Sequence, residues 1–243
     1  MSLWLYHTYR LLWSGIDLLF PPRCGGCGQV GQRWCSNCQS AVSTPSQPLC
    51  EICGLPLTRS GRCPECKASP PHFEILRSWL VFDGPVRQAL HRLKYRRDLG
   101  LGDALAEPMA VWVTRLNWQA DLILPVPLGE KRYSERGYNQ VALVAWPLAM
   151  RLGWRYDPQG LTRSRETRSQ VGLSALERKE NVDGAFRADP CRVKDRRVIV
   201  MDDVATTGAT LSACAQALQE AGAQCVYALT IARALPHHGL KIV

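Results

Sequence analysis

The chain has 243 residues, 46% of them apolar and 21% charged, and a formal net charge of +9. That length and apolar share suit a medium domain with a small one beside it and exclude an intrinsically disordered chain. The excess of cations favours anionic partners (phosphates, nucleic acid or an acidic membrane face) without choosing among them.

Residues 3–20 are rich in Leu and Trp. His7, Arg10, Ser14 and Asp17 recur at three- and four-residue steps, while Leu5, Tyr9, Leu12, Trp13, Ile16, Leu19 and Phe20 fall on the opposite face. This period predicts an amphipathic helix within residues 1–22. The apolar run is broken too often for a membrane span. No basic start, unbroken apolar stretch and small-residue cleavage site mark an export signal. A cytoplasmic protein with no transmembrane span is expected.

Eight of the 11 cysteines follow as Cys-x-x-Cys pairs: Cys24/Cys27, Cys35/Cys38, Cys50/Cys53 and Cys63/Cys66. Such a pair points two thiolates from one tight turn at one metal ion, and two pairs complete a tetrahedral shell. A disulfide framework needs an oxidising compartment, and repeated pairs are a metal pattern. Two structural Zn2+ sites are expected, in a small double zinc ribbon over residues 23–75. Sequential sharing and a cross-brace both satisfy the spacing. Protein sulfur fills every ligand position, so neither ion has an opening for catalysis. Cys191, Cys214 and Cys225 are isolated and read as packing residues. Residues 67–72, with Ser69, Pro70 and Pro71, read as a boundary, and residues 76–243 as a second domain.

In that second part His91-Arg92-Leu93-Lys94-Tyr95-Arg96-Arg97 sets cations around two apolar residues. It suits the lining of a nucleophile pocket, a nucleic-acid contact or the solvated face of a helix. Residues 122–126 read as a short strand ended by prolines. Lys131, Arg132, Arg136 and Gly137 follow at its carboxyl end, where guanidinium forks and a lysine point charge suit a diphosphate. Residues 138–152 have helical spacing that Pro147 should kink, with Asn139 as cap or as donor into the site. Arg163, Arg165 and Arg168 alternate with small and polar residues, the pattern of a mobile loop. Residues 197–201 read as a buried strand, 209–221 as a helix closed by Gly222, and 225–231 as another strand. The alternation predicts an α/β fold with a mainly parallel sheet, whose ligand lies at the carboxyl ends of the strands.

The most informative segment is Val198-Ile199-Val200-Met201-Asp202-Asp203-Val204-Ala205-Thr206-Thr207-Gly208-Ala209-Thr210. A buried strand delivers two acids, then small residues and hydroxyls lead into a helix. Backbone N–H groups there wrap a phosphate, and the acids upstream accept hydrogen bonds from sugar hydroxyls. The segment suits a phosphorylated sugar.

It resembles the 5-phosphoribosyl diphosphate loop of type I phosphoribosyltransferases, a likeness covering residues 80–235. The resemblance implies that Asp202 and Asp203 hold the ribose hydroxyls and that Ala205, Thr206, Thr207, Gly208, Ala209 and Thr210 hold the 5-phosphate. It implies a diphosphate loop at Lys131, Arg132, Arg136 and Gly137, a closing loop carrying Arg163 and Arg165, and Mg2+ arriving with the diphosphate. Pro125-Val126-Pro127, Arg136-Gly137-Tyr138-Asn139-Gln140 and the Arg163-x-Arg165-x-Thr167-x-x-Gln170 run, behind the cysteine module, resemble the ComF family, which is associated with natural competence and DNA uptake. Two functions fit. One is phosphoribosyl transfer to an acceptor the motifs do not name, with Asp202, Asp203, Arg136 and Lys131 as the catalytic set. The other is a non-catalytic DNA-uptake or regulatory factor that engages single-stranded DNA or partner proteins.

Overall fold

The computed structural model describes residues 8, 15, 17, 21–165, 181–182 and 184–235. The helix expected over residues 1–22 lies outside these except at Thr8, Gly15 and Asp17, which are helical, and at residues 21 and 22; Thr167, Arg168 and Gln170 also lie outside.

The cysteine segment writes one local structure twice. In each half the first pair sits in a turn whose flanks form an antiparallel bridge, Arg23 with Val30 and Leu49 with Pro56. Gly28 and Gly54, one step past Cys27 and Cys53, take φ of +79° and +66°, a region that L side chains resist. The second pair opens a short helix, α1 (Ser36–Ala41) or α2 (Pro64–Ala68). Cys35 and Cys63 cap these helices by accepting the N–H of Cys38 and Cys66.

The larger part begins with β1 (Ile75–Val81), α3 (Gly84–Tyr95), α4 (Gly100–Thr114), β2 (Leu122–Pro125), α5 (Glu130–Arg136), α6 (Ala142–Leu152) and β3 (Arg155–Tyr156). It continues with β4 (Leu161–Arg163), β5 (Phe186–Ala188), α7 (Pro190–Val193), β6 (Arg197–Ala205), α8 (Ala209–Glu220) and β7 (Cys225–Arg233). The main sheet runs β1-β7-β6-β2-β3 and every pairing in it is parallel. Helices α3, α4 and α6 cover one face, with Leu90, Leu105, Met109 and Leu148 over Ile199, Met201 and Ile231. The other face carries α8 and the antiparallel β4–β5 ribbon, with Leu161, Phe186, Leu211 and Leu218 over Val198, Val200 and Ala228. Burial on both faces explains the apolar run Val198–Met201 of β6.

Sequence periodicity did not reveal α4, because Gly100, Gly102 and Pro108 punctuate it. Gly102 has a packing reason. A Cβ there would stand 2.4 Å from the Leu143 carbonyl oxygen of α6. That carbonyl is the one to which Pro147 has no N–H to give. Gly102→Ala therefore forces α4 and α6 apart, at a cost on the order of 1–3 kcal/mol. Thermal denaturation checks this as a lowered Tm with unchanged zinc content.

The small module is docked on the large one. The N–H of Leu76 donates to Ile52 O at 2.7 Å and that of Val81 to Ser43 O at 2.8 Å, so the ribbon covers the outer edge of β1. Arg233 Nη1 reaches Cys53 O at 3.0 Å, and Arg92 Nη1 reaches Cys24 O at 3.1 Å. The segment read as a boundary is itself tied down. His72 N–H donates to Ser212 Oγ at 3.1 Å, and Gln219 Nε2 donates to His72 O at 2.7 Å. Among the described residues no helix is long and apolar enough to cross a membrane.

Candidate functional site

From β2 the chain moves outward to β3, and from β6 it moves the other way to β7. Between β2 and β6 the connections diverge, and a crevice opens at the carboxyl ends of the strands. Both segments singled out in the sequence, residues 131–137 and 202–210, leave their strands at this crevice.

The acid pair sits within β6 rather than beyond it, since pairing with β7 continues through Asp202–Thr230, Val204–Ala232 and Ala205–Arg233. Successive strand residues face opposite sides. Asp203 turns toward α3 and α6, where Lys94 Nζ lies 2.5 Å from its Oδ2 and Gln140 Nε2 donates to the same oxygen at 3.3 Å. Its Oδ1 accepts the Val204 N–H at 2.9 Å. Asp202 lies on the α8 side, its charge acting on Cys214, and its Oδ1 accepts the Asp203 N–H at 2.8 Å.

The two carboxyls differ in protonation for this reason. Burial alone would raise Asp203, but the Lys94 ammonium and the hydrogen bonds from Lys94 and Gln140 hold it below the ordinary carboxylate value. Asp202 is pushed up to about 7 by burial and by the neighbouring Asp203 charge. The unfolded chain ionises Asp202 near its ordinary value of 3.8, so from about pH 4 to about pH 7 the folded state holds the extra proton. Stability is lost as pH rises through that window, and the penalty is complete above it. Asp202→Asn removes the penalty. Its Tm relative to the parent rises from pH 4.5 to pH 8, as scanning calorimetry at the two pH values would show.

After β6 the chain turns at Gly208, φ +83°, directly into α8. Gly208 lies over Phe73 and Leu76, with a Cβ position 3.5 Å from Leu76. Thr207 Oγ1 accepts the Ala209 N–H at 3.3 Å, while Thr206 and Thr210 are partly exposed. The α8 N-terminus thus offers backbone donors to an anion at the crevice.

On the β2 side, α5 carries Lys131 and Arg132 on its exposed surface and ends at Gly137, φ +80°. Arg136 stacks over the Tyr95 ring at 5.5 Å and donates to Gln140 Oε1. Asn139 takes neither expected role alone. Its Oδ1 accepts the Val141 N–H at 2.9 Å and its Nδ2 donates to Val126 O at 2.8 Å, strapping the end of β2 to the start of α6.

Lys94 and Gln140 are the residues that sequence reasoning did not place beside the acids. Lys94 belongs to the cation run and Gln140 to the Arg136-Gly137-Tyr138-Asn139-Gln140 segment, but nothing local joins either to Asp203. The run itself divides. Lys94 enters the site, Arg92 turns to Asp98 at 3.4 Å, and His91, Arg96 and Arg97 are exposed. Arg163, expected in a mobile loop, ends β4, its guanidinium 5.6 Å over the Phe186 ring, because β4 pairs with a strand far along the chain. Arg165 Nη2 donates to Asn181 O at 3.5 Å.

The cysteines resolve into two clusters with sequential sharing. The Sγ atoms of Cys24, Cys27, Cys35 and Cys38 lie within 4.8 Å of one another, and so do those of Cys50, Cys53, Cys63 and Cys66. Zn–S bonds of ~2.3 Å in a tetrahedron place sulfurs about 3.8 Å apart. The separations Cys24–Cys38 3.5 Å, Cys27–Cys35 3.7 Å and Cys53–Cys63 3.7 Å fit that shell. Backbone N–H groups point at the sulfurs, Cys35 N to Cys24 Sγ at 3.4 Å and Cys63 N to Cys50 Sγ at 3.3 Å, which favours thiolates.

Residues 15–67 match the double zinc ribbon domain and residues 154–239 the phosphoribosyl transferase domain. The chain is 36% identical over 207 residues to DNA utilization protein YhgH of Escherichia coli O6:H1, covering 83% of this chain and 90% of that protein. It is 30% identical over 208 residues to Competence protein F of Haemophilus influenzae, covering 82% and 90%. A solved adenine phosphoribosyltransferase from Thermoanaerobacter pseudethanolicus overlays with a TM-score of 0.36 at 16% identity, covering 56% of this chain and 83% of that one. Likeness extending over nine-tenths of the two curated relatives, through both the ribbon and the sheet, makes the chain a member of the ComF family, with a double zinc ribbon ahead of a type I phosphoribosyltransferase-like α/β fold.

Proposed function

We propose that the crevice between β2 and β6 binds Mg2+ and 5-phosphoribosyl diphosphate and passes the phosphoribosyl group to an acceptor, in a protein linked to natural competence and DNA uptake. One observation carries this reading: an acid pair and a glycine-opened helix N-terminus stand at the divergence of a parallel sheet. Thr206, Thr207 and Thr210, with the backbone at Ala205, Gly208 and Ala209, would take the 5-phosphate, and Asp202 and Asp203 the ribose hydroxyls. Lys131, Arg132 and Arg136 would face the diphosphate. As an acceptor lone pair attacks C1, the bond from C1 to the diphosphate oxygen breaks, and those cations stabilise the charge that develops on the leaving group. Magnesium bound to the diphosphate would neutralise part of the same charge. Arg163 and Arg165 would flank the segment that excludes water from C1.

A second reading, a non-catalytic DNA-uptake or regulatory factor, has its own support. Tyr95 and Tyr133 are 64% and 54% exposed among Arg96, Arg97, Lys131 and Arg132. Exposed aromatic rings among cations suit single-stranded DNA, with one face of Tyr95 already taken by Arg136. Calorimetric titration of the zinc-loaded chain with 5-phosphoribosyl diphosphate and Mg2+ tests the site, and turnover, read as release of diphosphate, separates a transferase from a non-catalytic binder. Saturable one-to-one binding supports the transferase site. No binding by folded protein overturns it and leaves the DNA reading, whose affinity falls steeply with salt.

A further inference from the structure

We propose that Lys94 stands where a divalent cation would otherwise sit beside Asp203, so that the acid pair grips the sugar without itself binding metal. The inference rests on the crevice being the phosphosugar site, and it adds which ions that site accepts.

Both oxygens of Asp203 are already engaged by donors, Oδ2 by Lys94 and Gln140 and Oδ1 by the Val204 N–H. A small divalent ion coordinates carboxylate oxygen at ~2.0–2.1 Å and requires near-octahedral oxygen ligands around it. It cannot share Oδ2 with an ammonium 2.5 Å away, since the two cations repel strongly at that range in a partly buried site. Asp202 Oδ1 is also engaged, by the Asp203 N–H. The groups facing Asp203 are therefore an ammonium and N–H donors, a cationic surrounding that does not fit direct metal coordination by that carboxylate.

The ammonium is held in place by its element. Lys94 lies in the last turn of α3, which buries Val86, Ala89, Leu90 and Leu93. Arg92, two residues before it, ties α3 to Asp98 and to the Cys24 carbonyl of the first knuckle. The Asp203 charge outweighs burial and keeps Lys94 protonated. Magnesium would then enter only with a diphosphate, and a sugar monophosphate would bind without it.

The test uses the zinc-loaded full chain with Mn2+ as the probe and no sugar present. Electron paramagnetic resonance of free Mn2+ should show no crevice site in the parent. Lys94→Met strips the counter-ion and should gain one Mn2+ site, at least about tenfold tighter than anything in the parent, lost again in the Lys94→Met, Asp203→Asn double variant. Lys94→Arg keeps the charge and should remain free of Mn2+. In calorimetry, ribose 5-phosphate should bind the parent with less than a twofold change on adding Mg2+. A parent Mn2+ site that Asp203→Asn abolishes would overturn the proposal, and so would a folded Lys94→Met that gains none. If Lys94→Met does not fold, Lys94→Gln removes the same charge with a polar side chain, and a folded Lys94→Gln that gains no Mn2+ site overturns the proposal equally. Failure of ribose 5-phosphate to bind at all would count against the phosphosugar site, whereas the Mn2+ readout needs no sugar and judges Lys94 separately.

Discussion

If the crevice is the phosphosugar site, Asp203→Asn is expected to lower the affinity for 5-phosphoribosyl diphosphate by about ten- to a hundredfold, the equivalent of a charged hydrogen bond worth ~1.5–3 kcal/mol. The amide keeps the shape of the side chain but supplies one acceptor oxygen where the carboxylate supplied two. It also leaves Lys94 facing a neutral group. Removing one member of a fully buried pair costs ~3–5 kcal/mol; here the cost is smaller, because the Lys94 side chain is 27% exposed and water screens it. The measurement is a calorimetric titration of parent and variant, with circular dichroism confirming that both are folded. An unchanged affinity would place the ribose somewhere other than the acid pair.

The largest effect on stability is expected from the metal. Structural zinc in a four-sulfur knuckle contributes ~10–16 kcal/mol of folding free energy, and among the described residues the hydrophobic side chains packed on the second cluster are Ile52, Leu55 and Leu57. Chelation, or Cys66→Ser, unfolds that knuckle. The damage spreads, because Ile52 O loses its place on the Leu76 N–H, and the buried Arg233 loses the Cys53 carbonyl. Leu76 in turn lies under Gly208 at the start of α8. Zinc release, followed with a chromogenic chelator during scanning calorimetry, should coincide with a lowered Tm for the whole chain and with weaker 5-phosphoribosyl diphosphate binding. A sheet domain that melts unchanged after zinc loss would show the two modules to be independent.

These features differ in how far the amino-acid order discloses them. The cysteine shells and the segment from Val198 to Thr210 are local. Two residues between cysteines dictate a knuckle, and an apolar run followed by acids, threonines and glycine dictates strand, turn and helix. Pairings between distant segments carry no such mark. Nothing near Lys94 announces Asp203, and nothing near Arg163 announces Phe186. The two-residue β3 and the three-residue β4 are too short to show a period. The spacing of Asp202 and Asp203 is plain, but their facing opposite sides follows from the length of β6, which pairing with β7 sets.

The order of the sheet has a consequence for how the chain is made. Among the described strands β1 is made first, yet its sheet partner is β7, the last of them. That pairing therefore closes only after β7 has been made, a high-contact-order step that is slow and leaves a strand edge unpaired while it waits. The ribbon is finished just before β1 appears, and it bonds Leu76 and Val81 through Ile52 and Ser43. A zinc-loaded ribbon can dock the nascent strand from the side that β7 never uses. Supply of zinc during translation, more than after it, would then set the yield of folded protein.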